Sequence, residues 1–304
     1  MSVIFKIEPK KEKKMFGLLS KKTSIVNEIK KMSVKNFLEM FDNKYESIID
    51  DEEFLNGIIG ENNYISLGCF AYTSRAFDFC CHKDYFEIYI NTPSTTKDWK
   101  LLLEFLEDML IKTNGILINE NEEKIKISDI DYKKDIMAGI EAVYNHFNEK
   151  ESDKMMLIGP DRSIEISKEM ITKVMQSNDI IAEFDKMLEK VFYSTAYFAK
   201  QKFYKKDDKI IGVYTIGDGY DVVIPLKPSV NYQNLGIEKE HGKISRWVLT
   251  VVFFENKEKG EKQEIFELDY LENISKLKGY KKLDANQIEL SAKTKDELRE
   301  MLEV

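Results

Sequence analysis

At 304 residues the chain has room for two ordinary domains or for one large one. Its hydrophobic share of 43% and aromatic share of 12%, with only 14 Gly and 5 Pro, exclude disordered, collagen-like and low-complexity architectures. The 46 basic and 54 acidic residues leave a net charge of -8, which repels polyanions, so nucleic acid and anionic lipid are excluded as partners and a protein partner is the expected class.

The opening VIFKIE alternates as a strand does and leads into the lysine-rich connection KKEKKMFGLLSKK. The apolar piece of that connection is shorter than a signal-peptide core, and no apolar run reaches the length of a membrane span. Ser33 then reads as the N-cap of a helix VKNFLEMF, with Val34, Phe37, Leu38 and Phe41 at helical spacing. A second helix over DEEFLNGIIG is predicted to end at Gly60.

From Tyr64 to Asn91 the pattern turns to aromatic alternation (YISLGCFAY, RAFDFCC, DYFEIYIN), which predicts an antiparallel meander. NTPSTTKDW follows, where Thr95 and Asp98 have the spacing of a capping box. The helix that starts there carries Trp99, Leu102, Leu103, Leu106, Met109 and Leu110 on one apolar face. GILI and KIKI read as short strands, and Ser128-Asp129 as the start of a helix whose buried stripe is Ile136, Ile140, Val143, Tyr144 and Phe147.

The polar segment NEKESDK, 148–154, is the expected boundary between an N-terminal domain, 1–150, and a C-terminal domain, 151–304, with a single large α+β domain as the alternative. MMLIG and SIEIS bracket the turn Gly159-Pro160-Asp161, and KEMITKVMQ and IIAEFDKMLEKVF read as helices. The run from 197 to 271 reads as a second antiparallel meander: YFAKQKFY, IIGVYTI, YDVVIPL, ISRWVLTVVFFE and QEIFELDYL, with turns such as KKDDK and GDG between them. TKDELREML closes the chain as a helix. IYINTPST and VVIPLKPS echo one another, but two strands ending in a common turn account for that without a duplication.

Few groups carry chemistry. Cys69, Cys80 and Cys81 are an odd set with two adjacent members, a poor basis for disulfides and a good fit to a reducing cytoplasm. Zinc sites space their ligands so that a turn brings both sulfurs to the metal, whereas neighbours on a strand point to opposite faces. Phe77, Phe79 and Cys81 should therefore share one side of a strand and Asp78, Cys80 and His82 the other, with the cysteines buried and no metal bound. A cysteine nucleophile needs an activating base, and the imidazoles on offer are His82, His146 and His241. The loop Gly217–Asp221 places Asp218, Tyr220 and Asp221 beside small residues; it could orient a polar ligand, although a hairpin turn needs the same residues. Asp218, Tyr220, Asp221 and His82 are the binding candidates, and no catalytic residue emerges. Phosphate loops, dinucleotide fingerprints and zincin helices are missing from the sequence, so no cofactor is expected. Only Arg75, Arg162, Arg246 and Arg299 could clamp an anion with two parallel bonds.

SVIFKIE with its lysine-rich connection, YFEIYINTPSTTKDW with its amphipathic helix, and LIGPDRSIEIS together resemble an uncharacterised bacterial family of cytoplasmic proteins of about this length, catalogued as a domain of unknown function. The resemblance implies a bacterial intracellular α+β protein and brings no activity, cofactor or catalytic residue. The fold expected is α+β, antiparallel meanders with helices packed on one face, in two similar-sized halves. The function expected is that of an acidic, non-enzymatic interaction protein that binds a protein partner; the alternative is a hydrolase-like or thiol-dependent enzyme whose site converges only in the fold.

Overall fold

The computed structural model describes residues 2–10, 25–62, 64–70, 72–150, 154–159, 163–231, 234–256 and 261–304, without side chains at 254–256 and 261–263. Most of the lysine-rich connection, the turn at Pro160-Asp161-Arg162 and the centre of the polar segment at 151–153 lie outside the described residues. The chain divides into two compact units: Met1–Asp153, Ile158–Arg162 and Lys168–Tyr193 in the first, and Lys154–Leu157, Ser163–Ser167 and Ser194–Val304 in the second. Among the described residues no helix is long and apolar enough to cross a membrane.

In the first unit the strands are β1 (Ser2–Pro9), β2 (Glu46–Ser47), β3 (Ile65–Gly68), β4 (Phe77–Cys81), β5 (Phe86–Asn91), β6 (Gly115–Ile118) and β7 (Lys124–Ile125). They form one antiparallel sheet in the order β2-β3-β4-β5-β1-β6-β7. The meander over 64–91 is present as β3, β4 and β5, and β1 returns to pair with β5, Phe5 opposite Ile88 and Ile7 opposite Phe86. The helices are α1 (Ile25–Lys30), α2 (Val34–Glu39), α3 (Glu52–Asn56), α4 (Thr96–Thr113), α5 (Tyr132–Glu149), α6 (Lys168–Met175) and α7 (Ile180–Phe192).

The core of this unit is aromatic. Phe37 of α2 stacks on Phe79 at 4.8 Å, and Phe105 of α4 lies 5.0 Å from Phe77 and 5.1 Å from Tyr45. Edge-to-face and offset ring pairs of this kind add to the burial of the rings themselves. Ser33 caps α2 by accepting from Asn36 N at 3.1 Å, as the sequence suggests. Two boundaries and one buried face differ from the sequence reading. α3 ends at Asn56 and Gly60 falls in a separate 3₁₀ turn, because the chain extends again at Gly57. Ser128-Asp129 also form a 3₁₀ turn, and α5 starts after Asp131, whose carboxylate accepts from Lys134 N at 3.3 Å. On α4 the buried face includes Leu101 and Phe105, while Leu103 and Leu110 lie at its half-buried rim.

The second unit contains β8 (Lys154–Ile158), β9 (Ser163–Ser167), β10 (Tyr197–Phe198), β11 (Lys202–Lys206), β12 (Lys209–Gly217), β13 (Val222–Pro225), α8 (Leu235–His241), β14 (Ile244–Asn256), β15 (Glu261–Asp269), α9 (Tyr270–Ile274), β16 (Tyr280–Lys282), β17 (Gln287–Leu290) and α10 (Lys295–Leu302), with the last residue of β8 counted in the first unit. Two four-stranded sheets are ordered β10-β13-β17-β16 and β11-β12-β14-β15, beside the hairpin β8-β9. The α+β class and its antiparallel sheets are as expected, but the run over 197–271 is not one meander. β13 leaves β12 to pair with β17, and β12 then lies parallel to β14, Tyr214 beside Leu249. The physical reason lies in the core: Tyr214 and Ile216 on β12, Val222 and Ile224 on β13, and Leu249, Val251 and Phe253 on β14 are buried together, so strands of both sheets face a shared interior. α9 and α10 contribute Tyr270, Ile274, Leu298 and Leu302 to that interior. Thr294 and Glu297 start α10 with a reciprocal capping box.

Candidate functional site

The loop between β12 and β13 turns through Gly219 at φ +72°, a conformation that glycine adopts without strain. Gly219 N donates to Lys293 O at 2.7 Å, Asp221 Oδ1 accepts from Ala292 N at 2.6 Å, and Asp221 O accepts from Tyr197 N at 2.9 Å. Asp218 is buried and Tyr220 is exposed. The Asp221 carboxylate thus fastens the loop to the segment after β17, a structural task that uses one of its oxygens. His82 belongs to the first unit, and His146 and His241 lie on α5 and α8, each flanked by its own surroundings.

His82 stands on the sheet face that looks away from the aromatic core. Strand register places Cys80 opposite Glu87, Asp78 opposite Tyr89, and Lys6 on the far side of Glu87. Five kinds of polar group therefore share one open face: thiol, imidazole, carboxylate, phenol and ammonium. Glu87 organises them. Its Oε2 lies 2.9 Å from His82 Nε2 and accepts the hydroxyl of Tyr89, while the His82 ring stacks on Tyr85 at 4.5 Å. Lys6 pairs with Glu122, its Nζ 5.7 Å from the centre of the Tyr85 ring.

The sequence expectation of buried cysteines is met only halfway. All three are free thiols of intermediate exposure. Burial pushes the Cys81 thiol up to about 11, and burial together with the Glu87 carboxylate raises that of Cys80; Cys69 is raised by burial and by Glu46. The thiolate is the nucleophilic form, and burial in each of these environments disfavours it. The imidazole nearest to Cys80 along the strand is bonded to Glu87. Among the described residues no group of three or more His, Cys, Asp or Glu side chains could hold a metal ion.

A buried polar cluster lies at the start of α4. Asp98 is fully buried; its Oδ1 accepts from the amides of Ser74, Arg75 and Ala76 at 2.9, 3.0 and 3.1 Å, and its Oδ2 from the amide and hydroxyl of Thr95 at 2.9 and 2.7 Å. One carboxylate so joins the loop before β4 to the helix. Arg75 reaches Pro93 O at 2.6 Å and Ile158 O at 3.0 Å, and burial lowers its guanidinium to about 10 while Asp98 holds it up. The next amide, Thr96 N, is taken by Asp185 of α7 at 3.0 Å. Lys97 pairs with Glu189 at 2.8 Å between the rings of Tyr72 and Tyr193. The capping pair Thr95–Asp98 is legible in sequence; the three loop amides that share Asp98 are not, because backbone donors leave no sequence signal.

A different surface carries exposed apolar groups. Phe70 is 84% exposed, Tyr64 57% and Ile49 46%. They border the two-residue edge strand β2: Ile48 N continues its ladder to Ser66 O at 3.0 Å, and Phe70 N is held by Glu46 Oε2 at 2.6 Å. The remaining large aromatic side chains of β4 and β5 on the core side, Phe77, Phe79 and Phe86, are buried.

Residues 2–301 match the family described as Domain of unknown function (DUF4299), and the chain belongs to that family. No curated protein and no solved structure matches it.

Proposed function

Taking membership of that uncharacterised family as the premise, we propose that the protein is a non-enzymatic bacterial cytoplasmic protein that binds a protein partner at the β2 edge of its first unit. The observation that carries this reading is the exposure of large apolar side chains along the β2 edge, Phe70 at the end held by Glu46 and Tyr64 and Ile49 toward the other end. Protein interfaces concentrate aromatic side chains in their centres and place charged groups at the rim, and here Glu46 and Asp50 supply such a rim. The net charge of -8 supports a basic or neutral partner surface.

A thiol-dependent enzyme has in its favour that Cys80, His82 and Glu87 share one sheet face. Against it stand the raised thiols and the engagement of His82 by Glu87. The test is quantitative affinity capture from the native cytoplasm with the wild type, Phe70→Asp and Cys80→Ser. A partner held by the wild type and by Cys80→Ser, but weakened about thirtyfold or more by Phe70→Asp, is the expected result, since loss of a central interface residue costs about 2 kcal/mol or more. Equal retention by Phe70→Asp, or a turnover abolished by Cys80→Ser, overturns it.

A further inference from the structure

The sheet β11-β12-β14-β15 ends on two strands of opposite charge. β11 reads Lys202-Phe203-Tyr204-Lys205-Lys206, three lysines in five residues, whereas β15 reads EKQEIFELD, four carboxylates against one lysine. Each pairs with a sheet neighbour on one side, and among the described residues no strand pairs with its other row of amides and carbonyls. Both strands run antiparallel to the parallel pair β12 and β14, and therefore point the same way.

Side-chain alternation sharpens the match. Tyr204 stands opposite Ile211 and Ile265 opposite Val252, on the face away from the interior that holds Tyr214 and Leu249. Each edge thus presents one exposed large apolar side chain on that face, Tyr204 at 54% and Ile265 at 56%. Two residues further along, again on that face, β11 carries Lys206 and β15 carries Glu267, both exposed. Glu264, which points to the interior side, is already paired with Lys295 at 3.0 Å and with Arg299.

We infer that β15 of one copy of this chain adds in parallel to β11 of the next, Tyr204 beside Ile265 and Lys206 beside Glu267, so that copies associate head to tail through a continuous sheet. Charge selects this pairing. Two β11 edges oppose lysine to lysine and two β15 edges oppose carboxylate to carboxylate, so each edge rejects its own kind and accepts the other. Parallel addition keeps successive copies facing the same way, because β11 and β15 point in the same direction within each copy. The contact is heterologous and leaves a free edge at each end, so the assembly grows with concentration.

The experiment is sedimentation velocity and light scattering on the full chain, from micromolar to near-millimolar concentration, at low and high salt. At the upper end in low salt the weight-average mass should reach at least about twice the 35.6 kDa of one chain, and high salt should return it toward that value. Lys206→Glu alone and Glu267→Lys alone should each remain monomeric, since both make the meeting edges alike in charge. An equimolar mixture of the two variants should regain the wild-type mass, because every junction then pairs opposite charges, and this recovery also shows that both variants are folded. Phe70→Asp should leave the assembly unchanged, which separates this inference from the partner site on the first unit. A wild type that stays at monomer mass throughout, or single variants that assemble as the wild type does, overturns the inference, as does a mixture that fails to recover while both variants keep native circular dichroism and thermal unfolding.

Discussion

Asp98→Ala removes the acceptor shared by the amides of Ser74, Arg75, Ala76 and Thr95, in a place where Ser74, Ala76 and Thr95 are at most 2% exposed. A buried donor left without a partner costs about 1 to 3 kcal/mol. Water entering the space left by the carboxylate can meet one or two of the four, and the Thr95 hydroxyl keeps its role as acceptor for the residue 98 amide, a bond of 3.2 Å. The deficit is then about 4 to 6 kcal/mol once the loss of the charge facing the half-buried Arg75 is included. Asp98→Asn is the informative companion. Its amide oxygen can serve the three loop amides while the Thr95 hydroxyl turns to accept from its NH₂ group, leaving chiefly Thr95 N unmet, so a smaller cost of about 2 to 3 kcal/mol follows.

The measurement is urea unfolding followed by tryptophan fluorescence in a Trp247→Phe background, where Trp99 of the first unit is the remaining tryptophan. The order Ala worse than Asn, with the gap above about 1 kcal/mol, tests the bond count directly. An Asp98→Ala variant that loses less than about 1 kcal/mol would refute the reasoning, because the loop amides would then be meeting other partners.

Trp99 is fully buried between Phe5 and Tyr132, and its Nε1 has no hydrogen-bond partner among the described residues, so Trp99→Ala should cost about 3 to 5 kcal/mol by far-UV circular dichroism and Trp99→Phe markedly less. In the second unit burial, reinforced by Glu165, raises the Asp284 carboxyl above its ordinary 3.8 despite amide donors from Glu165, Asn286 and Gln287. A raised folded-state pKa means that the native state binds the extra proton, so this contribution to stability is present at low pH and lost as pH rises from 3.8 through the folded value. Trp247 fluorescence should report that slope in the wild type and its disappearance in Asp284→Asn; an unchanged slope would assign it to another group. Fluorescence anisotropy with single-stranded and duplex DNA and RNA at physiological salt should show no saturable binding below roughly 10⁻⁵ M, and tight binding lost on neutralising Lys10, Lys11, Lys13 and Lys14 would make the N-terminal stretch a nucleic-acid site.

Local signals in the sequence carried far in the first unit and less far in the second. The aromatic alternation of 64–91 and the Thr95–Asp98 spacing are set by neighbours within a few residues, and each appears where it is expected. Whether consecutive strands pair with each other is another matter. YDVVIPL follows IIGVYTI after a good turn, yet β13 joins a different sheet, because residues on both faces of that turn bury more apolar surface by facing each other across an interior than by lying side by side. Turn chemistry is compatible with a hairpin and with a corner between sheets, so GDG alone does not choose. Gly212 gives the same lesson: nothing near it in sequence reveals that Trp247, some 35 positions on, lies across it and would collide with a Cβ at 2.4 Å.

The candidate sites separate along the same line. His82 could be placed on the face with Cys80 from strand alternation alone, but its partner Glu87 comes from β5, and register decides that Oε2 of Glu87 and not a thiol receives the imidazole. That register makes a hydrogen-bonded cluster of the face: burial first, and then the carboxylate that orients His82, raises the Cys80 thiol. Phe70 falls in step with Tyr64 and Ser66, out of step with the buried Ile65 and Leu67, and beyond Gly68, where its N is held by Glu46, its ring is 84% exposed. An aromatic side chain left in water beside an edge strand has lost the burial that its neighbours Phe77 and Phe79 gain, about 1.5 to 3 kcal/mol, and a partner surface that covers it recovers that free energy.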